Sequence, residues 1–85
     1  RVAACVAVHG PVTSHYRWQG AMQREVEWQL VIKTSASRVD ALAARLRDLH
    51  PYELPEFVVL TASAGAAYAA WVEAETSVSA TDVGC

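Results

Sequence analysis

Arg24-Glu25-Val26-Glu27-Trp28-Gln29-Leu30-Val31-Ile32-Lys33 is the stretch on which the fold turns. Val26, Trp28, Leu30 and Ile32 fall on alternate positions, with Glu25, Glu27, Gln29 and Lys33 mostly opposed to them, and that period of two marks a half-buried strand. Just upstream, Gln19-Gly20-Ala21 reads as a hairpin turn, entered by an extended stretch on which Tyr16 and Trp18 share a face. Earlier still, Val2 to Val8 is apolar on both faces, as in a covered strand, and Gly10-Pro11 punctuates it.

Downstream the period changes. Ser37 and Asp40 resemble a helix-capping pair, and Val39, Leu42, Leu46 and Leu49 recur at helical spacing. Pro51 predicts a stop near His50, and Pro55 keeps Pro51 to Glu56 as an ordered loop. Phe57 to Leu60 reads as a short strand, and Ala66 to Glu75 as a second amphipathic helix carrying Tyr68, Trp71 and Val72. From Thr76 the composition is that of a frayed polar tail. The order of elements, without internal repeat, predicts an α+β domain with an antiparallel sheet and helices on one face.

The 85 residues carry seven Lys and Arg against nine Asp and Glu, a formal charge of -2, which bounds the chain to one small domain and argues against electrostatic nucleic-acid binding through a basic face. Hydrophobic residues make up 53%, too many for a disordered chain, so a packed core is expected, with oligomerisation relieving its small size. No apolar run approaches the roughly 18 residues of a membrane span, and no signal peptide is legible. Cys5 and Cys85 lie at opposite ends and form neither a disulfide framework nor a CxxC pair, which fits a reducing, cytoplasmic setting. The sequence opens on Arg1 rather than Met, as a processed, recombinant or partial chain does.

No phosphate-binding glycine loop, HExxH, GxSxG or paired Cys/His spacing is present, so no enzyme is supported. The densest chemistry is His50-Pro51-Tyr52-Glu53-Leu54-Pro55-Glu56, a proline-pinned loop with an imidazole, a phenol and two carboxylates. It reads either as a ligand edge or, more commonly for such a segment, as a solvated helix-terminating turn. His9, His15 and His50 are too far apart in sequence for a local metal site, Cys5 reads as a small buried hydrophobe, and Lys33 as a snorkelling surface lysine. Tyr16, Trp18 and Trp28 crowd one hairpin and are assigned to an association surface, whereas Tyr68 and Trp71 are assigned to the core.

Five blocks then stand in order: Ala3-Ala4-Cys5-Val6, Thr13-Ser14-His15-Tyr16-Arg17-Trp18-Gln19-Gly20, Ile32-Lys33-Thr34, His50-Pro51-Tyr52-Glu53-Leu54-Pro55-Glu56, and Tyr68-Ala69-Ala70-Trp71. Together the pattern resembles the CutA divalent-cation-tolerance family. The resemblance implies a ferredoxin-like, PII-like α+β sandwich with a long β-hairpin over residues 1–75, here lacking the family's first strand and first helix, with residues 76–85 as a disordered tail. It implies a cytoplasmic homotrimer associated with tolerance to copper and other divalent metals, without enzymatic activity. It also implies that Cys5, Lys33, Tyr16, Trp18, His50, Tyr52, Glu53 and Glu56 gather near intersubunit clefts, and the hairpin aromatics Tyr16, Trp18 and Trp28 are then expected to meet a neighbour in the trimer interface. His50 and Cys5 are the expected donors for copper or zinc, and Leu49 stands where some members carry a second histidine. The alternative is a PII-like trimer binding a small anion through Lys33 and Arg17 or a protein partner. A hydrolase or isomerase using Glu53 or Glu56 as base lacks an oriented nucleophile. On the same expectation, a chain without the central first strand is incomplete as a folding unit.

Overall fold

A computed structural model describes residues 1–49 and 56–77. Strand β1 (Cys5–Trp18) and strand β2 (Ala21–Lys33) form a long antiparallel hairpin. A 3-10 turn, Ala36–Arg38, leads into helix α1 (Val39–Leu49), and helix α2 (Ala66–Thr76) follows.

The hairpin turn needs only two residues. Gln19 and Gly20 both have positive φ, at 50° and 81°, which is the type I′ geometry whose twist matches that of its flanking strands. Trp18 and Ala21 close the ladder directly beside it. The two extended segments read from the sequence prove to be one 14-residue strand. Gly10-Pro11 does not end it, because a β-bulge absorbs both residues: pairing passes from His9↔Gln29 to Val12↔Glu27, three steps along β1 against two along β2. Proline has no N–H to give to the ladder, and a bulge is where its absence is tolerated. Glycine is required beside it, since a Cβ on Gly10 would come within 2.7 Å of the Trp28 ring.

The bulge also changes which residues share a face. Directly paired residues point the same way, so Cys5, Ala7 and His9 lie with Lys33, Val31 and Gln29. Beyond the bulge the even-numbered residues of β1 join that face: Val12, Ser14, Tyr16 and Trp18, opposite Glu27, Glu25, Gln23 and Ala21. The other face carries His15, Arg17, Met22, Arg24, Val26, Trp28, Leu30 and Ile32. The alternation expected for residues 24–33 is therefore the observed one.

The helices pack at the base of the hairpin, leaving its far end as a projecting arm. The described molecule measures 48 × 28 × 19 Å with a radius of gyration of 15.7 Å, against about 11–12 Å for a compact domain of this size. Among the described residues the buried apolar side chains are Leu42 on α1 and Val72 on α2. Three expectations are corrected here. Phe57 to Leu60 form no strand and are exposed, because no strand among the described residues reaches their backbone. Ser37 does not cap α1; it sits in the 3-10 turn, and Ser35 at the head of that turn spends its hydroxyl elsewhere. Tyr68 and Trp71 are not core but exposed, at 43% and 44%.

What ties α2 to the end of β2 is a small hydroxyl network. Thr76, the last residue of α2 and fully buried, donates to the Val72 carbonyl at 2.8 Å, and its Oγ1 lies 2.8 Å from the Ser35 hydroxyl. Thr76, which the sequence reading assigned to the polar tail, instead closes α2, and residues 78–85 lie outside the described residues. Thr34 donates to the Val2 carbonyl at 2.8 Å, while Arg1 pairs with Glu75 and accepts from Arg38 through its carbonyl. These contacts close the base of the molecule.

Candidate functional site

Cys5 and Lys33 are cross-strand partners at the base of the hairpin, on the same face. The Lys33 ammonium reaches over the ring of Tyr68, 5.8 Å from its centroid, and Tyr68 in turn stands 5.6 Å from Trp71 at a 40° tilt. Residues three apart on a helix share a side, so α2 presents this aromatic pair to the strand that bears the lysine. A cation within about 6 Å of an aromatic face is attracted by the ring's quadrupole. Sequence reading placed the lysine among candidate ligand groups but missed its aromatic seat. The signal was there in the Tyr68-x-x-Trp71 spacing and was spent on the core.

Tyr16 and Trp18 share the face of Cys5 and Lys33 only because the bulge shifts β1 by one residue. They stand at the far end of the arm, roughly 35 Å along the strand from Lys33 at about 3.4 Å per residue. Within one chain these two groups are separate sites. Arg17 is as distant and on the opposite face, so it and Lys33 can share a ligand only between copies. Trp28 lies on that opposite face too and is 62% exposed. The aromatics assigned to an interface thus divide between the two sides of the arm. Beside Tyr16, a hydrogen bond to Glu25, some loss of solvent, and the charges of Glu25 and Glu27 together raise the phenol above its ordinary pKa.

Glu56 is exposed, and His50, Tyr52 and Glu53 lie outside the described residues. Among the described residues no three His, Cys, Asp or Glu side chains converge as metal ligands, and the group facing Cys5 is an ammonium, a poor neighbour for a second cation. The thiol is half-buried and free. The described residues therefore fit a metal only if His50 or a donor from another copy joins Cys5. Between hairpin and helices runs an open trough of about 2220 Å³ whose lining includes Lys33, Leu42, Val58, Leu60 and Val72. That is larger than the roughly 300–1,000 Å³ of small-molecule pockets and has the breadth of a docking face.

A hairpin arm with helices at its base, rich in exposed apolar side chains and without a catalytic constellation among the described residues, defines an α+β fold built on one long hairpin. Residues 1–75 match the sequence model of the CutA1 divalent ion tolerance protein family, and the chain belongs to that family. It is 39% identical over 75 residues to the divalent-cation tolerance protein CutA of Pectobacterium atrosepticum, covering 87% of this chain and 68% of that protein. It is 41% identical over 73 residues to the CutA homolog of Xenopus laevis, covering 85% of this chain and about half, 48%, of that longer protein. Among solved structures, the PII-like protein CutA from Nostoc sp. PCC 7120, in its apo form, superposes with a TM-score of 0.85 at 38% identity, over 92% of this chain and 77% of that one. The family is one of divalent-cation tolerance and not a known enzyme family. No helix among the described residues is long and apolar enough to cross a membrane.

Proposed function

We propose that this chain is the subunit of a cytoplasmic homotrimer that contributes to tolerance of copper and other divalent cations by binding, not by catalysis. The observation that carries the reading is the arm: Tyr16, Met22, Val26, Trp28 and Leu30 are exposed on a ribbon too long for its own helices to cover. Apolar surface arranged so needs a partner, and a second and third copy supply one with closed symmetry. Metal binding then belongs between subunits. Cys5 gives a soft ligand, His50 a borderline one, and Glu53 or Glu56 a harder auxiliary. Two good ligands make a loose site whose affinity falls as the imidazole protonates, near its reference value of about 6.5.

Calorimetric titration of the whole protein with copper and with zinc tests this. Modest binding that drops about tenfold or more in His50→Ala is expected, in line with loss of a ligand from a weak site. Binding unchanged in both His50→Ala and Cys5→Ser would place the metal elsewhere. A second reading, a PII-like trimer sensing a small anion, is favoured by one observation, the Lys33 ammonium presented over Tyr68. Titration with a nucleotide panel, lost in Lys33→Ala, would select it over the metal reading.

A further inference from the structure

We draw no further inference here: the strongest candidate, the open trough between the hairpin and the helices that Lys33 and the exposed Val58 and Leu60 line, belongs at its Lys33 end to the site already described, and nothing in the structure shows what covers the rest.

Discussion

The base of the molecule and its arm solve the same problem in opposite ways. At the base, polar groups withdrawn from water find partners within the chain: Thr76 bonds Val72 and Ser35, and Thr34 bonds Val2. No buried side-chain polar atom among the described residues is left without a partner. Along the arm, the ladder between the two strands is continuous apart from the bulge, yet Val26, Met22 and Trp28 are each more than 60% exposed. The backbone ladder fixes the arm's shape, while its side chains remain unspent. A ribbon of two strands is marginal by itself in water, so side chains held in this way have their use in contact with something else.

The sharpest way to break that contrast is to truncate one aromatic from each region. Trp18→Ala on the arm should weaken assembly by about 2 kcal/mol or more, roughly 30-fold, as loss of a buried aromatic anchor does. Trp71→Ala, whose recorded ring partner is Tyr68 of its own chain, should change it by less than about 1 kcal/mol. Sedimentation equilibrium measures both. Equal effects would mean that arm and base are not divided between outside and inside contacts.

The base can be probed on its own terms. Thr76→Val keeps the shape and removes the hydroxyl, leaving the buried Ser35 with only the more distant Ser37 hydroxyl at 3.4 Å. A loss of about 1–2 kcal/mol in denaturant unfolding is expected from an orphaned buried polar group. Adding Ser35→Ala to that variant should cost little more, since the partner has already gone. A Thr76→Val protein as stable as the parent would show that the hydroxyl network does not hold α2 to the strand.

How far the sequence disclosed this arrangement depends on whether a feature is local. The alternation in residues 24–33, the hairpin turn, read one residue too long because Ala21 already pairs with Trp18, and both helices are set by near neighbours, and they were legible. The bulge was half legible: Gly10-Pro11 was visible as punctuation, but a strand break and a one-residue bulge look alike until the partner strand is placed. Its consequence, Cys5 and Tyr16 on one face despite their odd and even numbers, is a matter of pairing and could not be read from β1 alone. Tyr68 and Trp71 misled because a helical stripe states that a face is apolar, not what lies against it. The hydroxyl pair Ser35 and Thr76 gave no signal, being 41 residues apart in the chain and ordinary in composition. The same holds for Arg17 and Arg24, which share a face only through cross-strand register.

The smallest effect lies on Tyr16, and it reports directly on the field at the arm. Its phenol is raised above 10.0, first by the hydrogen bond to Glu25 and then by burial and the charges of Glu25 and Glu27. A raised tyrosine pKa means the neutral phenol is favoured, so phenolate forms at higher pH than in a free tyrosine. Glu25→Gln removes the charged acceptor and should bring the midpoint back toward 10.0, while Glu27→Gln, which acts through charge alone, should move it less in the same direction. Carbon-13 labelling of the tyrosine rings, with Tyr16→Phe to assign the resonance, follows this one phenol apart from Tyr52 and Tyr68. Salt discriminates further, because the Glu27 effect crosses solvent and should fade at high ionic strength, whereas the hydrogen-bonded part should persist. If Glu25→Gln left the Tyr16 midpoint where it was, the pairing that puts these two residues on one face of the arm would be wrong.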